Sequence, residues 1–340
     1  MAKKFKAAIA GCGGISSVHV DSLTLMPDVE ITAVCDPDSD KTARCPFKAY
    51  SDYEALVDDS DIDVLHICLP HFLHAPAAIY AMERGINVLC EKPMSISIPE
   101  SEAMLKAAAD NSAALGVIFQ NRYNPGSQLI KNAIAGGSLG KIKSGRFKVT
   151  WFRDEDYYLK STWRGKWATE GGGVIINQSI HTFDLVNFFM GGQSPAGGVP
   201  QYVEASISNR AHPSIEVEDV AEGIISYGDA EISFYVNTIN PYDAPVEIEL
   251  ICENGRAAIK GAGGFIEYNN GETAASETAA AVNIPHKAYW GTSHEVQINL
   301  FYEALKKSIT PEIDGNEAFK TQRLICAVYE SAKTGKRVVV

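Results

Sequence analysis

The sequence predicts a parallel, doubly wound α/β domain followed by an α+β domain built on a large, mainly antiparallel open sheet. Three observations carry this expectation. Over the first 120 residues, short continuous apolar runs alternate with helical segments, the pattern of parallel strands covered on both faces. Past Gln120 several runs alternate with period 2, the mark of antiparallel strands with one buried face. A chain of 340 residues also has room for two domains of roughly 150 residues each, placed here at 1–120 and 121–340.

In the first domain, strands are expected over residues 5–10, 29–35, 64–69, 86–90 and 115–119. Helices are expected over 17–25, 53–57, 75–84 and 99–110, the last with Ser97 and Ser101 as candidate N-terminal caps. Only about ten residues, Asp38 to Phe47, follow the second strand, close to the ~10–12 minimum for a helical crossover, so that helix is expected to shrink to a turn. In the second domain a helix over 127–135 ends at Gly136-Gly137, and a strand-like run covers 141–153. A helix over 174–190 lies between Gly171-Gly172-Gly173 and Gly191-Gly192. The alternating runs are 203–207, 231–236 and 246–250. Residues 261–281, rich in Gly, Ala, Glu and Thr, read as a mobile edge or loop, and amphipathic helices over 295–307 and 317–334 close the chain.

Composition narrows the function classes. With 46% hydrophobic and 21% charged residues the chain has the balance of an ordinary globular protein. A net charge of −12 weighs against binding nucleic acid or an anionic membrane. The seven cysteines are odd in number and none are spaced C-x-x-C, which argues against a disulfide framework or a metal site and for small buried thiols in a reducing compartment. No signal peptide is legible at the start, and no run approaches ~20 apolar residues, so the expected location is cytoplasmic.

Four features carry chemistry. Gly11-Cys12-Gly13-Gly14-Ile15-Ser16 directly follows the first strand, where glycines permit a tight turn and close approach of a dinucleotide pyrophosphate to a helix N-terminus. This is the fingerprint of a Rossmann domain, with Ser16 in the third glycine position. Asp36 ends the second apolar run, where an acid accepts from the adenosine ribose hydroxyls; with Asp38 and Asp40 nearby, and Lys41 the nearest downstream base, it favours NAD over NADP. Asp36-Pro37-Asp38 is equally a composition that a plain turn would use. Lys92 follows Cys90-Glu91 at the end of a later strand, and Pro93 biases it toward extended backbone and opens the cis option. His181 follows Asn177 by four residues on one helix face, with Asp184 a further turn along as an ordinary partner; a histidine titrating near ~6.5 can take a hydroxyl proton.

Together these residues resemble the family of glucose–fructose oxidoreductase, inositol dehydrogenase and MocA-like proteins. The resemblance runs through the Gly11–Ser16 loop, Cys35-Asp36-Pro37, Pro70 and His74 after the strand ending at Leu69, and Glu91-Lys92-Pro93. It continues in Trp163-Arg164-Gly165, Gly171-Gly172-Gly173 leading to His181 and Asp184-Leu185, Val217-Glu218-Asp219, and Tyr329-Glu330-Ser331 in the final helix. It implies an NAD(P) hydride carrier, a sugar or polyol substrate, and a homodimer or homotetramer formed through the C-terminal sheet. By the same likeness Lys92 and His181 match the catalytic lysine and histidine. Gly11, Gly13, Gly14, Ile15 and Asp36 would contact the cofactor, as would Leu69, Pro70, His74, Glu91 and Lys92, with Trp163 and Arg164 walling it. Tyr123, Asn124, Asn177 and Tyr289, with Lys92 and His181, would meet substrate hydroxyls. Asn177 stands where inositol-dehydrogenase-like members carry an aspartate, and His71 where many carry asparagine. The implied activity is an NAD-dependent dehydrogenase acting on CH–OH groups. Two alternatives share these residues: a glycoside hydrolase that retains NAD and works through transient sugar oxidation, and a non-catalytic sensor of dinucleotide or sugar.

Overall fold

A computed structural model of the protein describes residues 4–191, 193, 198–276 and 293–340; Tyr289 and residues 277–281 lie outside these. The chain forms two compact units, Met1–Phe119 with Ser293–Gln322, and Gln120–Thr292 with Arg323–Val340.

The first unit runs β1 (Phe5–Ala10), α1 (Ser16–Thr24), β2 (Val29–Cys35), α2 (Ser39–Thr42), β3 (Lys48–Tyr50), α3 (Tyr53–Asp59), β4 (Val64–Ile67), α4 (His74–Met82), β5 (Asn87–Cys90), α5 (Ile98–Asp110) and β6 (Leu115–Val117). All strand pairs are parallel, in the order β3-β2-β1-β4-β5-β6. The continuous apolar runs are explained by burial on both faces: Ala7, Ile9, Val64, Leu65, Ile67, Val88 and Leu89 are all fully buried. The strand order reverses between β1 and β4, the point at which open parallel sheets place their ligands. As expected, the second crossover shrinks to one turn, α2, and it leads into a short sixth strand, β3, in addition to the five expected. Ser97 caps α5 by accepting from the Glu100 N–H, whereas Ser101 is buried, with its hydroxyl 2.6 Å from that of Ser95.

The second unit continues through α6 (Pro125–Ala135), β7 (Ile142–Thr150), α7 (Glu155–Leu159), α8 (Trp167–Glu170), α9 (Ile180–Met190), β8 (Tyr202–Ser208), β9 (Val220–Ser226), β10 (Glu231–Asn237), β11 (Glu247–Cys252), β12 (Gly255–Lys260), β13 (Gly263–Tyr268) and β14 (Thr273–Ala275). The chain then returns to the first unit with α10 (His294–Lys307), and α11 (Gly315–Thr334) and β15 (Val338–Val339) end it. Nine strands form one sheet in the order β14-β13-β12-β11-β7-β10-β9-β8-β15, antiparallel except where β10 pairs β7. One face is packed by helices: Phe183 of α9 meets Phe147 and Phe234 at ring distances of 4.9 and 5.0 Å. The opposite pleat leaves Ile224, Tyr235, Ile251 and Phe265 exposed.

One expectation is sharpened here and two are corrected. Of the edge or loop expected over 261–281, the structure shows an edge: Gly263–Tyr268 and Thr273–Ala275 are strands β13 and β14 at one end of the sheet, and a Cβ on Gly264 would meet the Cα of Gly126 in α6 at 2.7 Å. Strand β9 is absent from the expected elements because Gly223 interrupts its alternation, and that glycine is demanded by its neighbours: a Cβ there would meet the Glu204 carbonyl oxygen at 2.4 Å. The expected helix over 174–190 is two pieces, a π-wound turn at Ile175–Ser179 and then α9. Among the described residues no helix is long and apolar enough to cross a membrane.

Candidate active site

The glycine loop joins β1 to α1 across the carboxyl end of the parallel sheet. Gly11 has φ +96°, and a Cβ on it would meet the Cys68 carbonyl oxygen at 2.4 Å, so only glycine makes this turn beside β4. An added Cβ on Gly13 meets nothing within 4 Å, which leaves the backbone open to a close-approaching ligand. Ser16 stands in for the third glycine because its hydroxyl turns back to donate to the Gly13 carbonyl at 2.6 Å. Asp36 braces the loop: Oδ2 accepts the Cys12 N–H at 3.0 Å, and Oδ1 accepts the Asp38 N–H at 2.9 Å, with Lys41 Nζ 3.3 Å away. Asp36 is thus a turn-maker that stands at the end of β2. A carboxylate offers about four acceptor positions, so room remains for a ribose hydroxyl. The open approach above Gly13, the N-terminus of α1 and this acid fit a dinucleotide. The thiols of Cys12 and Cys35, beside the loop, are pushed up to about 12 by burial, which makes them poor nucleophiles.

Lys92 leaves the end of β5, and the Lys92–Pro93 bond is cis. The residue before it organises a buried network. Glu91 Oε1 lies 3.1 Å from His19 Nε2 and 3.6 Å from His294 Nε2, while Oε2 accepts the Lys92 backbone N–H at 3.2 Å. Burial opposes charge on Glu91, but hydrogen bonds from the two imidazoles outweigh it and hold the carboxyl well below its usual range. The chain continues from His19 Nδ1 to His66 Nδ1 at 2.8 Å and from His66 Nε2 to the Tyr302 hydroxyl at 2.9 Å. Burial, and then the neighbouring His19, push His66 well below its ordinary value. One donor order fits throughout: Tyr302 donates to His66, His66 to His19, and His19 to Glu91. His74 spans the two strand ends, its Nε2 2.8 Å from the Leu69 carbonyl and its Nδ1 2.7 Å from the Pro93 carbonyl. Glu91 and His74, expected beside the cofactor, thus have their side chains turned into the protein, where they hold the backbone from which Lys92 projects.

In the second unit, Gln120–Tyr123 forms a short 3-10 turn ahead of α6 and carries Arg122, Tyr123 and, just beyond it, Asn124. Arg122 makes a bidentate pair with Asp184, Nε to Oδ2 at 2.7 Å and Nη2 to Oδ1 at 2.6 Å, both residues being buried. Asp184 is therefore one half of a buried ion pair with Arg122. Asn124 is buried, with its amide donating to Asn121 Oδ1 at 3.3 Å. Asn177 lies in the π-wound turn and His181 in the first turn of α9, so their four-residue spacing is not that of a regular helix. The start of this segment is pinned by Glu218, whose Oε2 accepts the Gly173 N–H at 2.9 Å and whose Oε1 accepts the Ile175 N–H at 3.0 Å and the Tyr329 hydroxyl at 2.9 Å. Burial pushes the Glu218 carboxyl up to about 7 despite these donors. Arg164 lies over the Tyr157 and Trp163 rings, its guanidinium 4.6 Å from each centroid.

Residue patterns did not single out Glu170, Glu218, Tyr157, His19 or His294 for a role. Glu218 sat in plain view in Val217-Glu218-Asp219, and Glu170 directly precedes the glycine triplet. The buried histidines left no sequence signal, because their partners come from four separate elements. Among the described residues no group of three or more His, Cys, Asp or Glu side chains is placed to hold a metal ion.

Comparison with known proteins follows the two units. Residues 5–119 match the oxidoreductase family with an NAD-binding Rossmann fold, and residues 127–258 match the GFO/IDH/MocA C-terminal domain. The uncharacterized oxidoreductase YrbE of Bacillus subtilis is 24% identical, covering 100% of this chain and 98% of that protein. The levoglucosan dehydrogenase of Pseudarthrobacter phenanthrenivorans is 34% identical over 44% of this chain and 38% of its own length. Among solved structures, the WlbA dehydrogenase from Bordetella pertussis in complex with NADH and UDP-GlcNAcA superposes with a TM-score of 0.87 at 27% identity, covering 100% of this chain and 99% of that one. A levoglucosan dehydrogenase complex with NADH and levoglucosan shares the fold, with a TM-score of 0.86 at 20% identity, over 99% of this chain and 100% of that one.

Proposed function

The chain belongs to the GFO/IDH/MocA family of oxidoreductases, and from that premise we propose that it is an NAD-dependent dehydrogenase that oxidises a hydroxyl-bearing carbon of a sugar, polyol or sugar derivative. One observation carries the reading: the open glycine loop, Asp36 and Lys92 all emerge at the carboxyl end of a single parallel sheet, around its switch point. NAD, when bound, supplies the hydride acceptor. Gly11, Gly13, Gly14 and Ile15 cradle its pyrophosphate, Asp36 receives the ribose hydroxyls, and Leu69 and Pro70 lie along the same strand ends. Trp163 and Arg164 take the nicotinamide side.

Lys92 hydrogen-bonds the substrate hydroxyl and stabilises the negative charge that develops on its oxygen. His181 removes the hydroxyl proton. Positioned proton transfer contributes typically 10²–10⁴-fold, and fixed charge beside a developing alkoxide a comparable amount. Tyr123, Asn124 and Asn177 contact the remaining hydroxyls. The Glu91 network and His74 keep Lys92 on a rigid strand end, which limits the freedom it must lose as the reaction proceeds. The exposed pleat, where Ile224, Tyr235, Ile251 and Phe265 stand among the ion pairs Arg146–Glu249, Lys148–Glu247 and Arg256–Glu267, is the surface through which copies would assemble.

The test is a panel of sugars, polyols, uronic acids and nucleotide-linked sugars incubated with NAD+, followed by absorbance of the reduced cofactor. The last two classes are included because of the likeness to the WlbA dehydrogenase complex. Net reduction with a member of the panel is the expected result. Glycoside cleavage without net reduction, or binding without either, would overturn the dehydrogenase reading.

A further inference from the structure

The groups around Asn177 fix which end of its amide it offers. Nδ2 donates to Glu170 Oε1 at 2.5 Å and to the Tyr157 hydroxyl at 3.3 Å. Both N–H bonds are thereby committed, so toward any further group the amide can only accept. With Glu170 ionised, the amide turned the other way would set its carbonyl oxygen against a carboxylate oxygen at the same 2.5 Å, two acceptors with no proton between them. Glu170 is itself held in place, since Oε2 accepts the Gly165 backbone N–H at 2.5 Å and the residue is only 1% exposed. The Tyr157 hydroxyl also accepts from the Gln178 amide at 3.3 Å.

We propose that Glu170 is a positioning residue that sets the hydrogen-bond polarity of Asn177, so that this corner of the site selects a neutral donor on the substrate, a hydroxyl or an N–H, over a carboxylate or phosphate. This rests on the reading of Asn177 as a substrate contact. An aspartate at this position would also accept, but would put its charge against the substrate. Here the acid stands behind an amide, and the amide passes on its acceptor character without its charge.

The experiment turns on Glu170→Gln. The Gly165 N–H is fixed by backbone, so the new side chain must give its oxygen to that donor and its NH₂ to Asn177. Asn177 must then flip, with the Tyr157 hydroxyl turning to donate, and offers NH₂ to the substrate. Adding Asn177→Asp restores an acceptor: one oxygen takes the new NH₂ and the other faces outward. Each variant is assayed with NAD+ and D-glucose, D-xylose, myo-inositol and D-glucuronate, and the best neutral substrate of the unmodified protein is carried through. Glu170→Gln is expected to raise KM about tenfold with kcat within about threefold, the scale of one reversed hydrogen bond. The double variant is expected to return KM to within about threefold of the unmodified protein. A double variant as impaired as the single, or more so, would overturn the proposal, because a merely structural glutamate gains nothing from the second change.

A second arm needs no substrate and does not depend on Glu170→Gln folding. In Asn177→Asp alone, two carboxylates at 2.5 Å must share a proton, with the Tyr157 hydroxyl, the Gln178 amide, the Gly165 N–H and the Arg164 guanidinium over the Tyr157 ring as the surrounding groups. The Tm of this variant should fall relative to the unmodified protein as pH rises from about 5 to 8 and the shared proton is lost. A Tm difference that does not change with pH would show that Glu170 does not face position 177, and would overturn the proposal. If none of the four sugars is oxidised, that counts against the proposed function, and the Tm arm alone decides the Glu170 assignment.

Discussion

Glu218 makes the stability of this protein depend on pH in the direction opposite to that of a carboxylate held low by its partners. Burial pushes its carboxyl from an ordinary 4.5 up to about 7, although three donors face it. Between those two values the folded protein keeps a proton that the unfolded chain has released. The contribution is therefore fully present below about pH 4.5 and lost as pH rises toward 7. The gap corresponds to on the order of 3 kcal/mol at 1.36 kcal/mol per tenfold change in proton activity. At roughly 2.1 cal/mol/K per residue, unfolding a chain of 340 residues carries about 0.7 kcal/mol/K, so the loss is about 4 °C in Tm. The buried histidines His66, His74 and His294 are pushed down by burial and act in the other sense, costing stability as pH falls through the histidine range. The comparison with Glu218→Gln removes them, since both proteins carry all three. Whatever its offset, the variant's Tm should gain about 4 °C on the unmodified protein between pH 5 and pH 8, read by differential scanning calorimetry. A difference constant to within about 1 °C across that range would refute the argument, and would mean that the three donors, not burial, control this carboxyl.

The catalytic assignment predicts that Lys92→Met and His181→Ala each lower kcat by about two to four orders of magnitude while leaving NAD binding nearly unchanged; a variant that keeps more than about a tenth of kcat shows that residue to be structural only. Asp36→Ala should narrow a preference for NAD+ over NADP+ of at least about tenfold in kcat/KM, mostly by improving NADP+. Equal use of both cofactors by the unmodified protein would remove Asp36 from that role, and Lys41, 3.3 Å from its carboxylate, would then be the base that accommodates the 2′-phosphate. Arg122→Met should destabilise the protein by about 3–5 kcal/mol in denaturant titrations, because it strands the buried Asp184 carboxylate; a cost under about 1 kcal/mol would show that Asp184 finds water or another donor.

The elements of the first unit were legible almost residue by residue, because parallel strands buried on both faces write themselves as unbroken apolar runs. The bounds of β1 and β2 coincide with the runs at 5–10 and 29–35. In the second unit α6 and β7 were legible as a helix and a long run, and the other strands where alternation was clean, as in β10 and β11. Alternation failed at β9, β12 and β13, where Gly223, Gly255 and Gly264 stand at strand positions because a neighbouring backbone or ring passes too close for a side chain. The positions of the glycine loop, Asp36 and Lys92 could be read locally, since each stands at a strand end. Asn177 and His181 could be named from their pattern, but not the π-wound turn that alters their spacing.

What the sequence determined by itself was therefore everything that depends on neighbours along the chain: periodicity, turn chemistry, and the order of motifs along the strand ends. What only the tertiary structure decided is which carboxylates serve those motifs. Glu91 meets His19, 72 positions away, and Glu218 receives the amides of Gly173 and Ile175, 45 and 43 positions away. Asp184 takes Arg122 from 62 positions away. Burial makes each of these pairings strong, by stripping water from charged groups that must then find a protein partner. No periodicity records such a partner, because its position along the chain is set by how the sheets and helices pack.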